Sequence, residues 1–153
     1  MAIDPFTITN AEQAEALVRE RGLRLSHARR RLIRALLRAP GPVGAETIAA
    51  GLDGRVAVAD LGSVYRNLEA LESIGLVRRL DLGGGPALYA LANRMAPAYL
   101  VCESCGVQRG LAAADLAPLR ESISRRTGFE ASFARFPIVG VCEACAAASG
   151  ELS

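Results

Sequence analysis

The chain contains no lysine and no tryptophan, and its 153 residues include a single histidine, His27. A Ser-His-Asp machine could therefore use only His27, and a site built from several histidines is excluded. Aromatic residues make up only 5% of the chain. No uninterrupted apolar stretch approaches the roughly 20 residues needed to cross a bilayer, so an integral membrane protein is excluded. A basic region followed by an apolar run is missing from the N-terminus, so no secretory signal is read there and the expected compartment is the cytoplasm. Met1-Ala2-Ile3-Asp4-Pro5-Phe6-Thr7 reads as a leader left by cloning and is set aside from the fold. What is present is enough for a core: 51% of the residues are hydrophobic, which excludes wholesale disorder. The length suits one ordinary domain or two small ones.

All 18 positive charges are arginine, and the formal net charge is only +2. They are unevenly placed. Arg19, Arg21, Arg24, Arg29, Arg30, Arg31, Arg34 and Arg38 fall within twenty residues that hold one acid, Glu20. Such an excess is what a polyanion-binding face requires, because phosphate contacts dominate nucleic-acid affinity. A solvated helix face would look the same, so the run needs a fold around it.

Thr9-Asn10-Ala11-Glu12 resembles a capping box and opens a helix carrying Ala14, Leu17 and Val18, ended by Gly22. Ser26 caps a second helix with Leu32, Ile33, Leu36 and Leu37 at helical spacing, stopped by Pro40-Gly41-Pro42. A short third helix runs from about Ala45 to Gly51, with Ile48, Ala49 and Leu52 inward, and Asp53-Gly54 is a turn. Asp60 caps a fourth helix to about Ser73, ended by Gly75, with Leu61, Val64, Leu68 and Leu71 on one stripe. Its other face carries Gly62, Ser63 and Arg66, with Tyr65 and Asn67 on the flanks. Small residues there let a partner approach the backbone, while Tyr65, Arg66 and Asn67 offer groups that base edges and phosphates accept. Leu76–Leu80 and Ala87–Leu91 then flank Gly83-Gly84-Gly85-Pro86 as a hairpin. Three helices, a fourth with a polar face and a hairpin make a winged helix-turn-helix over residues 8–92. In that fold Arg24, Arg30 and Arg34 are candidate phosphate contacts, and Ser63, Tyr65, Arg66 and Asn67 the candidate reading face. Double-stranded DNA is the expected partner.

Residues 93–97 read as a linker. The segment 98–153 is expected to be an α/β unit, so that the whole chain is α+β. It has a strand at Tyr99–Val101, a Cys102-Glu103-Ser104-Cys105-Gly106 turn and a strand at Val107–Leu111. A helix with Leu116, Leu119 and Ile123 ends at Gly128, and a long strand runs from Phe129 to Val141. Cys142-Glu143-Ala144-Cys145 leads into an Ala-rich tail. All four cysteines sit in these two C-x-x-C pairs. Each pair can aim two sulfurs at one ion, so the two together suit a closed tetrahedral zinc site that stabilises rather than catalyses. Two disulfides, a redox-active pair and free core thiols are the competing readings. Disulfides are disfavoured in a reducing compartment, and neither turn leads into a convincing helix, as a thioredoxin-like pair requires.

Arg21-Gly22-Leu23-Arg24-Leu25-Ser26, Gly62-Ser63-Val64-Tyr65-Arg66-Asn67-Leu68-Glu69, Gly75-Leu76-Val77, Leu100-Val101-Cys102-Glu103-Ser104-Cys105-Gly106 and Gly140-Val141-Cys142-Glu143-Ala144-Cys145 follow one another in the order of the ferric uptake regulator family. The chain resembles that family over roughly residues 12 to 146. The resemblance implies a dimeric transcription regulator, usually a repressor of metal-uptake or peroxide-response genes. It further implies that Tyr65 and Arg66 lie on the DNA-reading helix, that the C-terminal domain forms a homodimer, and that Cys102, Cys105, Cys142 and Cys145 hold one structural Zn2+ per chain. No enzyme activity, small-molecule substrate or membrane contact is expected.

The departures from the family pattern are specific. Members sense metal or peroxide through a second site of histidines and carboxylates. The His-rich stretch expected before the first C-x-x-C is Met95-Ala96-Pro97-Ala98-Tyr99 here, the acid beside the wing tyrosine is Ala90, and the acid after the first knuckle is Gly110. The histidines before the second knuckle fall at Phe133 and Ala134, and the early helix that would supply one reads Gly41-Pro42. His27 reads as a helix-start residue. The sequence therefore points to a degenerate sensing site, with Tyr99, Phe133 and apolar neighbours filling the space. Three alternatives remain beside it: control by zinc loss or thiol oxidation at the cysteines, a thiol-disulfide redox protein, and a zinc-binding interaction module that has lost DNA binding.

Overall fold

The computed structural model describes residues 2–51, 60–81, 85–133 and 137–150. They fall into two units: one runs to Leu80 and resumes at Gly85–Met95, and the other takes in Asp81 and the described residues from Ala96 onward.

The first unit opens with α1 (Ala11–Glu20), capped by the Asn10 side chain accepting from the Gln13 N–H. The Gln13 side chain in turn accepts from the Thr9 N–H at 2.7 Å, so the start of α1 is held by Asn10 and Gln13, the latter bonding the residue before the N-cap, rather than by a box built on Glu12. In α2 (His27–Arg38) the Ser26 hydroxyl accepts from the Arg29 N–H. The short α3 (Ala45–Ala50) follows a two-residue strand, β1 (Val43–Gly44), that the sequence pattern did not announce. Leu52 and the expected Asp53-Gly54 turn lie outside the described residues. In α4 (Leu61–Ser73) the Asp60 carboxylate accepts from the Ser63 N–H, and Gly75, at φ +78, turns the chain away. Strands β2 (Val77–Leu80) and β3 (Leu88–Leu91) pair antiparallel with Val77 opposite Leu91 and Leu80 opposite Leu88. β1 adds to the far side of β3, in the order β1-β3-β2. Of the expected Gly83–Gly85 tip only Gly85 is described. Leu17, Val18, Leu32, Ile33, Leu36, Ile48, Leu68, Leu71, Leu76 and Leu91 are fully buried together, each worth roughly 1.5–3 kcal/mol of burial.

Two expectations about the ends of this unit are corrected. Ile3, set aside with the leader, packs partly buried against the core, and its N–H donates to both oxygens of the Glu20 carboxylate at 3.0–3.1 Å. Asn93 and Arg94, read as linker, form a 3-10 turn with Ala92 and belong to the first unit. The Asn93 amide donates to the Ile8 carbonyl and the Arg94 guanidinium to the Leu37 carbonyl.

The second unit holds β4 (Ala98–Cys102), β5 (Gln108–Leu111), α5 (Ala113–Thr127), β6 (Ile138–Gly140) and α6 (Glu143–Ser149). The sheet order is β5-β4-β6, with β4 antiparallel to β5 and parallel to β6. Of the expected strand from Phe129 to Val141, the described residues form a strand only at Ile138–Gly140, and 134–136 lie outside the described residues. Residues 129–133 are irregular, and Phe129 stands 74% exposed, so no apolar packing holds that end of the run to a sheet. The Ala-rich tail is a helix, as the high helix propensity of alanine favours, closed by Gly150 at φ +71.

Candidate functional site

On α4 the exposed arc carries Tyr65 and Arg66. Gly62 keeps the first turn open there: a Cβ at that position would stand 3.2 Å from the Arg66 guanidinium. Ser63 is half-buried at the margin. Asn67 is not on the exposed arc. Only 9% of it is exposed, its Oδ1 accepts from Arg29 Nε at 3.0 Å, and its Nδ2 donates to the Ser63 carbonyl at 2.9 Å. Leu61, expected inside, is 39% exposed instead. The buried arc of α4 is thus turned by about 30°, a third of a residue step, toward Asn67 and away from Leu61.

The arginines of the basic run separate into groups. Arg19, Arg30 and Arg34 converge on the Glu15 carboxylate at 3.6, 3.6 and 4.0 Å. Three guanidinium groups share one carboxylate, which leaves two positive charges in excess on the α1–α2 face. Exposed pairs of this kind add little stability, so the arrangement concentrates charge more than it holds the fold. Glu15 was missed in the sequence; its i,i+4 spacing to Arg19 was the available signal. Arg24 lies exposed before α2, its carbonyl accepting from the Arg29 guanidinium. His27 is exposed at the first position of α2.

In the second unit, parallel pairing sets Cys102 beside Gly140, and the Glu103 N–H donates to the Gly140 carbonyl at 2.9 Å. This pairing brings the two C-x-x-C turns together across forty residues of chain. Gly106, at φ +74, turns the first knuckle so that its N–H reaches the Cys102 carbonyl at 2.8 Å. The four sulfurs lie within 4.8 Å of one another, and Cys105 Sγ is 3.8 Å from Cys142 Sγ. A tetrahedral thiolate site with bonds of about 2.3 Å places its sulfurs about 3.8 Å apart, so the donor set fits such an ion. Among the described residues no other group of three or more His, Cys, Asp or Glu converges in this way.

The backbone prepares the thiols unequally. N–H groups, that of Cys142 foremost and then those of Cys105 and Ser104, draw Cys102 down to about 6. The neighbouring thiols of Cys142 and Cys105 push Cys145 up to about 12. One sequence argument fails here: the second turn does lead into a helix, with Cys142 at the N-cap of α6. The case for a metal over a redox pair therefore rests on the convergence of four sulfurs, not on a missing helix.

The positions where the family pattern has sensing ligands are apolar or filled. Ala90 is buried in β3, and Ala98 and Tyr99 are buried in β4. The Tyr99 hydroxyl accepts from the Ala96 N–H at 3.0 Å. A Cβ on Gly110 would meet Ala96 Cβ at 2.9 Å and Tyr99 Cε1 at 3.7 Å. Phe133 lies instead beneath the Arg120 guanidinium, 6.0 Å from the ring centre. Ala134 lies outside the described residues.

The four-helix unit with its β-hairpin is a winged helix-turn-helix, joined here to a unit carrying a four-cysteine cluster. That class is borne out by comparison. The model of the Ferric uptake regulator family matches residues 20–138. The chain belongs to that family, whose members are transcription regulators and not enzymes. It is similar to the peroxide operon regulator of Bacillus subtilis, 27% identical over 136 residues that cover 88% of this chain and 93% of the relative. A peroxide-responsive repressor of Staphylococcus epidermidis is 25% identical over 134 residues, covering 88% and 89%. Among solved structures, the ferric uptake regulator of Pseudomonas aeruginosa with manganese is similar at TM-score 0.68 and 27% identity, covering 85% of this chain and 98% of that one. The Helicobacter pylori ferric uptake regulator shares the fold at TM-score 0.67 and 17% identity, covering 95% and 96%.

Proposed function

We propose that the chain is a homodimeric, sequence-specific repressor that reads double-stranded DNA with α4 and holds one structural Zn2+ at Cys102, Cys105, Cys142 and Cys145. The observation that carries the reading is the pairing of a winged helix, whose reading helix exposes Tyr65 and Arg66, with four thiols gathered within 4.8 Å. Arg24, Arg30 and Arg34 serve the phosphate backbone, the last two as a cluster gathered by Glu15. Ser63 lies at the edge of the reading face. Asn67, with both ends of its amide engaged inside the protein, supports that face rather than contacting bases. Val107, Val139 and Val141 are exposed on the second unit, and a second copy of the chain is the partner that covers them. Among the described residues no helix is long and apolar enough to cross a membrane, and the working place proposed is the cytoplasm.

The zinc, when bound, ties two distant turns together and supplies folding free energy. The chain's own part is to supply four thiolates with no open position, so that the ion cannot catalyse. The family's histidine and carboxylate sensing site is degenerate here, which fits the filled space around Gly110. Control through the cysteines is the second reading, favoured by Cys105, the one thiol of the four that stands exposed. The deciding experiment is metal analysis of the purified protein together with recovery of the DNA it enriches from its own genome. One zinc per chain and a discrete set of operators are expected. Absence of zinc with all four sulfurs in disulfides overturns the metal assignment, and absence of DNA enrichment overturns the regulator.

A further inference from the structure

Arg29 differs from every other arginine of the basic run whose contacts are described above, because it points into the protein. Its Nε donates to Asn67 Oδ1 at 3.0 Å, and its Nη1 donates to the carbonyl of Arg24. Asn67 passes the connection on: Nδ2 donates to the Ser63 carbonyl at 2.9 Å, and the Ser63 N–H donates to the Asp60 carboxylate at 2.9 Å. A continuous relay therefore runs from the loop before α2, through one guanidinium and one amide, to the first turn of α4. The proposed reading of DNA gives Asn67 a supporting place and assigns no part to Arg29.

We infer that Arg29 and Asn67 are a positioning pair that sets the rotation of α4 about its axis, and through it the sequence discrimination of Tyr65 and Arg66, without touching DNA. The inference rests on the reading of α4 as the DNA-contacting helix. The chemistry is that of a planar fork: a guanidinium can satisfy two acceptors in a fixed relative geometry, which a lysine ammonium cannot. The acceptors lie on different elements, so holding both fixes one element against the other. Asn67 is where the buried arc of α4 departs from its apolar stripe, with Leu61 turned out as Asn67 turns in. Base readout depends on bidentate geometry, so a small rotation of α4 costs specific contacts while leaving phosphate contacts in reach. The basic run itself is made for phosphate and tolerates such a shift.

The test uses the full-length protein, a duplex selected by the wild type from a randomised library, and a scrambled duplex of the same composition. Arg29→Ala, Arg29→Lys, Asn67→Ala and the double alanine variant are compared below their thermal midpoints. Each single variant is expected to reduce the ratio of selected to scrambled affinity by about tenfold, the size of one lost pairwise coupling. The double variant should lose no more than either single one. Affinity for the scrambled duplex and its salt slope should stay at wild-type values. Asn67→Asp keeps the acceptor for Arg29 but loses the donor to the Ser63 carbonyl, so it should lose less discrimination than Arg29→Ala. If Asn67→Ala does not fold, an Asn67→Asp that loses as much as Arg29→Ala overturns the proposal. An Arg29→Ala that weakens both duplexes alike and lowers the salt slope by about 0.9 is a phosphate contact and overturns the proposal. So does an Asn67→Ala that relaxes a single base position while Arg29→Ala is silent. A wild type that selects no duplex removes the DNA reading itself, whereas additive losses in a DNA-binding protein remove only the positioning role.

Discussion

Gly110 on β5 sits so close to Ala96 that a Cβ built on it would stand 2.9 Å from the Ala96 Cβ. Real Cβ atoms do not approach that closely, and the neighbour is a methyl on backbone with no rotamer to yield. Gly110→Ala or Gly110→Asp should therefore force a shift of the segment before β4 and cost about 1–3 kcal/mol. Chemical denaturation of the zinc-loaded protein measures it. Unchanged stability would mean that the space at Gly110 is open and that the acid of the family pattern could return without repacking.

Loss of one ligand should be felt through the whole second unit. Cys142→Ser removes a sulfur from the cluster while leaving a good N-cap residue at the start of α6, so the loss of ligation alone should lower thermal stability and dimerisation before it changes any DNA contact. Acidification should do the same reversibly, because zinc competes with protons for the thiolates. The metal-free protein has its own pH dependence. Cys102, drawn down to about 6, favours its thiolate in the fold, so its contribution is complete above the ordinary thiol range and is lost as pH falls through about 6. Cys145, pushed up to about 12, favours its thiol, and its contribution fades as pH rises from the ordinary thiol range toward 12. Proton release on zinc addition, followed by calorimetry in buffers of different ionisation enthalpy, checks the first part. Binding with no proton release would contradict thiolate ligation.

Much of this was legible because local chemistry and tertiary packing agree. Asp60 and Ser26 cap the helices they precede, the cap of α1 falls one residue later than the Thr9-Asn10-Ala11-Glu12 box read from the sequence, and Gly75 ends α4 with a positive φ that other residues resist. The C-x-x-C spacing announced the cluster before β4–β6 pairing was known. The failures fall where packing decides. Asn67 looks like a reading residue on a helical wheel, yet an arginine from another helix draws it inward, and no periodicity reports that. Phe129 has the apolar character of a strand residue, but no neighbour covers it. The Ala-rich tail carries no amphipathic stripe, so its helix shows in propensity and not in pattern. Arg30 and Arg34 look free in sequence because the acid that gathers them, Glu15, belongs to the preceding helix.

Arginines of the two helices should separate by salt. Arg66→Ala removes a candidate base contact from the exposed arc of α4 and should cost about 1–3 kcal/mol on the selected operator, with preference relaxed at one position. Arg30→Ala or Arg34→Ala should weaken all duplexes alike and flatten the dependence of log affinity on log salt by about one unit. Glu15→Gln frees the same cluster of its counter-charge and should strengthen non-specific binding. Fluorescence anisotropy over a salt series distinguishes these outcomes, and an Arg66→Ala protein with unaltered affinity and base preference would take α4 out of the major groove.

DNA affinity should not respond to added iron, manganese or a second equivalent of zinc. Such ions need several nitrogen or oxygen donors converging on one point. The positions that supply them in the family pattern are Ala90, Ala96, Ala98, Gly110, Phe133 and Ala134 in this chain. Four of these offer at most a methyl, one offers no side chain, and Phe133 is engaged with Arg120. His27, the sole imidazole, stands exposed at the start of α2 and belongs to no group of three or more His, Cys, Asp or Glu among the described residues. A ligand shifts a conformational equilibrium only by its differential affinity for the two states, and an ion without a site has none. The form that binds DNA is then expected to be set by packing, and beside Gly110 the Tyr99 hydroxyl accepts from the Ala96 N–H. On the proposed reading, a zinc-loaded dimer is expected to bind DNA by default, with control passing to its own abundance, to a partner protein, or to the cysteines. Titration of each metal into zinc-loaded protein, with operator binding followed at fixed salt, is the measurement. Flat curves are expected. A gain of about tenfold or more, which corresponds to about 1.4 kcal/mol of coupling, would reveal a sensing site built from other donors.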